Sequence, residues 1–243
     1  MTQFTSSFDR RLLVAVDAAG YGSGTDRDHF AVQAGLTGVL DAAAAKAGLR
    51  RDLWLTQPAG DGELAILPRD EPEPVVIDQY VRYLNETLAA HNADRTSGPR
   101  LRLRMAVHFG AAMQADNGYA GQGIVAVSRL VDSPPVRQAL ADAPEAYLAV
   151  ILSRQIYDDV VRQGHVSVSE TEFTQVAVQV KEYRDEAWVE VVGAPGSMRP
   201  RDAGPDQSGP AYSRPAPSVV QHFDHVDAPG AVFGISYGAR SNG

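Results

Sequence analysis

The sequence predicts an α/β or α+β sandwich in which helices pack on a mixed β-sheet. Three observations predict this fold class. Apolar, strand-like runs alternate with amphipathic segments of helix length, no segment repeats, and the composition changes abruptly near Gly193. The chain has 243 residues and is 44% hydrophobic, which is enough for one large domain followed by a tail.

The first strand and the first helix enclose a short turn. Residues 10–17, RRLLVAVD, carry aliphatic side chains at odd and even positions, which is typical of a strand buried on both faces. Residues 26–48 then have the pattern of a helix, with Asp26 as its N-cap and Gly48 as the residue that ends it.

A hairpin, a helix and a strand follow. Residues 51–57 and 63–68 predict two strands joined by the segment PAGDG, which has glycine on both sides of its aspartate. Apolar residues in 75–91 fall near helical spacing and predict the second helix. Residues 101–110 alternate and then become fully apolar, as a strand entering a sheet does.

The last predicted elements complete the sheet. Residues 121–134 indicate a helix that the two prolines at 134 and 135 stop. Residues 145–153 predict another strand and 153–164 a short helix. Residues 171–193 predict a closing hairpin that turns near Tyr183 to Asp185. The resulting order is β-α-β-β-α-β-α-β-α-β-β.

The composition excludes several classes of function. A net charge of −8 leaves no basic surface to hold a nucleic acid, and it disfavours anionic membranes. The absence of cysteine excludes disulfides, thiolate metal ligands and a cysteine nucleophile. No apolar run approaches the roughly 20 residues of a membrane span, and the first ten residues lack a signal-peptide core, so we expect a cytoplasmic protein.

The chain divides into three predicted parts. Residues 8–193 form the folded domain. Residues 194–217 are rich in proline, glycine and charge, and predict a disordered linker. Residues 218–243 regain apolar side chains and predict a short interaction segment that binds a protein partner or copies of itself.

Two aspartates are the best candidates for chemistry. Asp17 ends the first strand, and Asp61 lies at the tip of the hairpin. If the first strand lies beside that hairpin, both carboxylates reach one edge of the sheet. Paired carboxylates suit Mg²⁺ or Mn²⁺, with the phosphates of a nucleoside triphosphate completing the coordination shell. A common turn and a common hairpin would give the same two residues without a metal.

The residues after Asp17 are small. Ala18, Ala19, Gly20, Tyr21 and Gly22 precede a predicted helix, so their backbone N–H groups can approach a phosphate closely. The sequence therefore predicts a phosphate-binding turn beside the paired carboxylates.

Four blocks in order resemble the class III nucleotidyl cyclase catalytic domain, the adenylate/guanylate cyclase fold. They are LLVAVDAAGYG, QPAGDGELAIL, LRLRMAVHFGAA and GYAGQGIVAVSRLVD, and the late VQVKEYRDEAWVEVV is similar to that domain's closing hairpin. The third block carries the family's Arg-x-x-x-His-x-Gly pattern at Arg104, His108 and Gly110. The resemblance implies a ferredoxin-like mixed sheet flanked by helices over about residues 8–193.

The resemblance also implies roles for individual residues. Asp17 and Asp61 match the metal ligands, and Arg129 matches the arginine that stabilises the transition state. The base-reading positions fall on Gln57 and Gln122, where active members carry lysine and aspartate or a similar polar residue. The ribose-orienting asparagine falls on Val125. The family forms head-to-tail dimers in which the metal aspartates of one chain face the arginine of the other, so a homodimer is implied.

These departures leave two functions open. A degenerate cyclase-like signalling domain would bind a nucleotide and a metal, or would only dimerise. An active nucleotidyl cyclase would convert a nucleoside triphosphate into a cyclic nucleotide and pyrophosphate with altered base choice. Glutamine amides both donate and accept hydrogen bonds, so Gln57 and Gln122 suit a base edge such as a pyrimidine, or are drifted surface positions.

The tail carries a second, weaker resemblance. Residues 235–238, Ile-Ser-Tyr-Gly, resemble the Ile-Gln-Ile-Gly core of RIP homotypic interaction motifs and of related bacterial amyloid signalling motifs, from which they depart at two of four positions. This likeness implies self-association through residues 218–243.

Overall fold

The structure is a computed structural model, and it describes residues 9–20, 26–59, 61–94, 100–115 and 118–193. The predictions for Tyr21 and Gly22 in the turn, for the linker 194–217 and for the segment 218–243 lie outside the described residues. The predicted division of the chain at 193 and 217 stays a prediction.

Nine strands and six α-helices make up the described part of the chain. The strands are β1 (Arg10–Ala18), β2 (Leu55–Ala59), β3 (Gly62–Ile66), β4 (Leu103–Ala111), β5 (Met113–Ala115), β6 (Gly118–Ala120), β7 (Leu148–Ser153), β8 (Thr174–Val180) and β9 (Tyr183–Val192). The helices are α1 (Asp26–Lys46), α2 (Glu73–Val75), α3 (Val81–Ala93), α4 (Gln122–Val131), α5 (Pro134–Asp142) and α6 (Arg154–Ile156). Short π-helical stretches, Val76–Tyr80 and Tyr157–Val161, continue α2 into α3 and extend α6. In this described part, no helix is long and apolar enough to cross a bilayer.

Seven strands form one mixed sheet in the order β2-β3-β1-β4-β7-β9-β8. Strand β1 lies between β3 and β4 and is antiparallel to both, while β4 and β7 are parallel. This position explains the apolar character of β1, because both of its faces are covered and both of its edges are paired. The prediction that the first strand lies beside the β2–β3 hairpin is confirmed.

Helices cover the two faces of the sheet. On one face, Leu12, Val14 and Val16 of β1 belong to the core that α1 and α3 close. On the other face, Leu13 and Ala15 belong to the core under α4 and α5. Alternate residues of β1 therefore supply both cores, and Asp17 follows on the side of Leu13 and Ala15.

Three features of local structure differ from the predictions or add to them. A small hairpin, β5–β6, joins β4 to α4 and was not predicted, because each of its strands has three residues. Pro134 and Pro135 follow α4 and are also the first two residues of α5. Proline is tolerated there because the N–H that it lacks would have no partner in the first turn of a helix. The closing hairpin turns at Lys181, which has φ +54°, rather than at Tyr183 to Asp185.

Candidate functional site

Strand register places Asp17 beside the start of β3. Asp17 lies opposite Gly62 in the β1–β3 ladder. A Cβ at position 62 would come within 2.1 Å of the Val16 carbonyl oxygen, so only glycine lets the hairpin approach β1 this closely. The Ala18 N–H donates to the Asp61 carbonyl at 3.2 Å and ties the hairpin tip to the end of β1.

The Asp61 side chain contacts Asp17. Burial, the charge of Asp17 and a hydrogen bond to Asp17 together raise the pKa of Asp61 above its ordinary value. The strand register and the Ala18–Asp61 hydrogen bond thus bring Asp61 near Asp17, and their binding of one cation stays a prediction.

Arg104 is the third charged group of the site. It lies opposite Asp17 in the β1–β4 ladder, and its Nη2 forms an ion pair with Asp17 Oδ2. Both side chains are largely buried, with 12% of Arg104 and 19% of Asp17 exposed. Sequence reasoning quoted Arg104 only as part of a motif and gave it no role. Arg104 lies on the same face of the sheet as Asp17 and directly opposite it, and this position follows only from the register of β1 and β4.

The chemistry of the donor set fits a divalent cation. The raised pKa of Asp61 follows from two adjacent, half-buried carboxylates that one guanidinium does not fully neutralise. Within residues 9–20, 26–59, 61–94, 100–115 and 118–193, no three or more histidine, cysteine or acidic side chains are placed so that they could hold a metal ion by themselves. Two carboxylates suit a hard ion such as Mg²⁺ or Mn²⁺, which commonly takes its remaining oxygen ligands from phosphates and water.

Two backbone N–H groups of the predicted phosphate-binding turn form hydrogen bonds within the chain. The Ala18 N–H donates to Asp61 as described, and the Ala19 N–H donates to the Arg102 carbonyl at 2.8 Å. Both amides thus already have backbone acceptors, and phosphate binding by Ala18 and Ala19 stays a prediction. Gly20 has φ +81°, a conformation that favours glycine, and its role in binding phosphate stays a prediction.

Gln57 points toward the small hairpin. It lies on β2, opposite Leu64 of β3. Its Oε1 lies 2.6 Å from the position a Cβ would take on Gly118, and no hydrogen-bond partner for this buried oxygen is found in the described part of the chain. The amide is thus packed against the β6 backbone, and Gly118, with φ +110°, leaves room for it.

Helix α4 carries the three remaining predicted residues. Gln122, Val125 and Arg129 follow one another at helical spacing, so they share one side of the helix. Gln122 and Val125 are exposed, and 44% of Val125 is accessible to solvent. Among the ion pairs of the described residues, Arg129 contacts neither Asp17 nor Asp61. Within the described residues of one chain, Asp61 lies beside Asp17, and Arg129 forms no ion pair with either.

Close backbone packing fixes the position of α4 on the sheet. A Cβ on Gly123 would lie 2.7 Å from the Gly110 carbonyl carbon and 2.8 Å from the Ala111 oxygen. Glycines at 110 and 123 therefore allow the helix to pack directly on β4. This contact sets where Gln122 and Val125 emerge at the surface.

Comparison with solved structures identifies the fold. An adenylate/guanylate cyclase/hydrolase from Silicibacter pomeroyi is 19% identical, with a TM-score of 0.55, covering 76% of this chain and 98% of the other. The guanylyl cyclase Cya2 is 12% identical, with a TM-score of 0.54, covering 79% and 98%. A bacterial light-regulated adenylyl cyclase is 11% identical, with a TM-score of 0.50, covering 76% of this chain and 52% of the other.

These similarities confirm the predicted fold class. The described domain has the fold of class III adenylate/guanylate cyclase catalytic domains. No protein-family model matches the sequence. No curated protein matches it either. At these identities the likeness concerns the fold, and the function has to be argued from the residues.

Proposed function

We propose that this chain is a cyclase-like signalling domain that binds a nucleoside triphosphate through Mg²⁺ or Mn²⁺ and is catalytically degenerate. The proposal is carried by the strand register, which sets Asp17 opposite Gly62 and ties the Asp61 carbonyl to the Ala18 N–H, so that Asp61 lies beside Asp17. The pKa of Asp61 is raised by burial and by the charge of Asp17, and a divalent cation with bound phosphates would relieve this crowding.

The degeneracy rests on the exposed side of α4. Val125 is exposed where the resemblance requires a ribose-orienting asparagine, and its side chain cannot form a hydrogen bond. Cyclisation at the α-phosphorus depends on positioning and on stabilising developing charge. Losing one such polar contact costs about 10²–10³ in rate in other enzymes, which would leave little turnover.

A homodimer is part of the proposal. Arg129 forms no ion pair with Asp17 or Asp61 in the described part of its own chain, although the resemblance gives all three to one reaction. A head-to-tail dimer would supply Arg129 to the carboxylates of the other chain. The same surface would serve a domain that dimerises without binding a nucleotide.

The alternative is an active cyclase with altered base choice. It is favoured by the presence of Asp17, Asp61 and Arg129 and by the amide at Gln57, which suits hydrogen bonds to a base other than the usual purines. In this reading Gln57 would turn from the β6 backbone toward the base.

One assay separates these functions. The protein is incubated with Mn²⁺ and each of ATP, GTP, CTP and UTP, and cyclic nucleotides are measured by mass spectrometry, with Asp17→Asn as the control. We expect little or no cyclic product from the wild type. Robust turnover of any nucleotide that Asp17→Asn abolishes would overturn degeneracy and establish the active cyclase.

A further inference from the structure

Arg104 occupies a site on Asp17 that a metal ion would also use. The two residues face each other across the β1–β4 ladder, and the guanidinium pairs with Asp17 Oδ2. Regular strands, rather than a loop, fix this pairing. The ion pair is therefore part of the folded sheet before any ligand binds.

The pair with Asp17 is what holds the Arg104 head group. Arg104 has no other hydrogen-bond or ion-pair partner among the described residues, and its buried Nε has no partner there. The neighbouring arginine on this strand is different, because Arg102 donates to three backbone carbonyls, of Leu140, Ala143 and Ala146. Arg102 therefore holds backbone segments together, whereas Arg104 pairs with a carboxylate of the proposed metal site.

The charge of Arg104 reaches both aspartates. It pairs with Asp17, and it also acts on Asp61, where it opposes the effect of Asp17. With both carboxylates ionised, the three groups carry a single negative charge. An arginine stays protonated at every physiological pH, so deprotonation cannot remove this counter-charge.

We infer that Arg104 is a built-in counter-cation that competes with the divalent metal for Asp17, so that the nucleotide-free domain binds metal weakly. This inference rests on the proposed metal site at Asp17 and Asp61. A metal that enters the site without phosphates has to displace the guanidinium from Oδ2 and remain close to its charge. Repulsion between charges a few ångströms apart in a partly buried site is large enough to change an affinity by more than tenfold.

Direct metal binding tests the inference without any catalytic readout. Binding of Mn²⁺ is followed by the electron paramagnetic resonance of the free ion, with no nucleotide present, in the wild type, Arg104→Gln and Arg104→Lys. We expect Arg104→Gln to bind Mn²⁺ at least about tenfold more tightly than the wild type. Arg104→Lys keeps the positive charge and should stay closer to the wild type.

Two further variants locate the effect. Arg154→Gln removes the same charge from an exposed arginine at the start of α6 and should leave Mn²⁺ affinity unchanged. Adding Asp17→Asn to Arg104→Gln should abolish the gain. An affinity of Arg104→Gln within about threefold of the wild type, or a gain that survives Asp17→Asn, would overturn the inference.

A measurement on the wild type keeps the inference testable if Arg104→Gln does not fold. The ¹⁵N resonance of Arg104 Nε, assigned by its absence from Arg104→Lys, is followed during a Mg²⁺ titration. Competition predicts that this resonance shifts as Mg²⁺ saturates the site, whereas an unchanged resonance at saturation would overturn it. These results are independent of the cyclic-nucleotide assay. An active wild type in that assay would overturn the proposed degeneracy and leave the metal site in place. Tight Mn²⁺ binding by the wild type without nucleotide would overturn the competition assigned to Arg104 and leave the metal site in place.

Discussion

Arg51 binds Glu63 close to the turn of the hairpin that carries Asp61. The distance between Arg51 Nη1 and Glu63 Oε1 is 2.8 Å, and only 9% and 14% of the two side chains are exposed. Arg51 Nε also binds Asp41 Oδ1 on α1 at 2.6 Å. This network ties the β2–β3 hairpin to helix α1 and holds the strand on which Asp61 depends.

Glu63→Gln should destabilise the domain. The substitution leaves the mostly buried Arg51 with a neutral partner at position 63. Removing one member of a buried ion pair costs about 3 kcal/mol or more, but Arg51 keeps its second carboxylate partner, Asp41, so we expect a cost at or below the low end of that range. Urea unfolding should show a fall of about 2–3 kcal/mol in the free energy of unfolding.

The control for this prediction is a longer pair whose carboxylate is exposed. Glu86→Gln breaks the 3.8 Å contact with Arg82 on α3 and should cost about 0.5 kcal/mol or less. Equal effects of Glu63→Gln and Glu86→Gln would contradict the role given to the Arg51–Glu63 pair.

Asp61→Asn should stabilise the metal-free domain above the ordinary pKa of the carboxyl, 3.8. Burial and the charge of Asp17 raise the pKa of Asp61 in the folded state, so the folded protein binds its proton more tightly than the unfolded chain does. Stability therefore falls as the pH rises through this range. Asparagine keeps a donor for Asp17 and carries no charge. Melting temperatures measured with EDTA should show an advantage for Asp61→Asn at neutral pH that disappears in acid.

Asp9 supplies a comparison of opposite sign. Hydrogen bonds from Arg69 and Arg11 lower the pKa of Asp9, so its contribution is present at neutral pH and is lost as the pH falls. Asp9→Asn should therefore lower the melting temperature at neutral pH. If both variants shift it in the same direction, the crowding assigned to Asp61 is wrong.

Gly123→Ala should loosen α4. The new Cβ would collide with the backbone of Gly110 and Ala111, which cannot move cheaply inside the sheet. We expect a loss of about 1–3 kcal/mol by urea unfolding.

Gly38 in α1 is the matched control for that substitution. No atom lies within 4 Å of the position a Cβ would take on Gly38, so Gly38→Ala should stabilise by about 0.5–1 kcal/mol through helix propensity. Destabilisation by Gly38→Ala, or a neutral Gly123→Ala, would show that direct packing of α4 on β4 is not what positions the helix.

The fold was predictable where local pattern and tertiary structure agree. The aliphatic run of 10–17 predicted a strand with two buried faces, and β1 is covered by helices on both sides. The glycines on both sides of Asp61 predicted a tight turn, and β2 and β3 form a hairpin there. The juxtaposition of Asp17 and Asp61 then followed from one assumption about strand order, which the sheet bears out.

Other features depend on register and are not visible in a single sequence. Arg104 opposes Asp17 only because β4 is antiparallel to β1 in one particular alignment. The use of the Ala18 and Ala19 amides in chain contacts likewise depends on which carbonyls the sheet brings close. Three-residue strands such as β5 and β6 carry too little pattern to be recognised.

Val125→Asn combined with Gln57→Lys should restore turnover if the site is a degenerate cyclase. Both replacements supply the residue types that the resemblance assigns to ribose and purine recognition, and Val125 is exposed enough to accept asparagine. We expect cyclic AMP or cyclic GMP from the double variant with Mn²⁺, at a rate at least about tenfold above the wild type. Val125→Ala, which adds no polar group, is the control. Equal rates in the double variant and the control would argue that degeneracy extends beyond these two positions.

The most direct test of the proposed function is calorimetric binding of each nucleoside triphosphate in the presence and absence of Mn²⁺. The account predicts saturable binding of at least one nucleotide that requires Mn²⁺ and is lost in Asp17→Asn. That variant removes a carboxylate ligand and leaves the hairpin contact between Ala18 and Asp61 in place. Nucleotide binding that ignores Mn²⁺ or survives Asp17→Asn, or no binding of any of the four nucleotides, would contradict the assignment of Asp17 and Asp61 as the metal site.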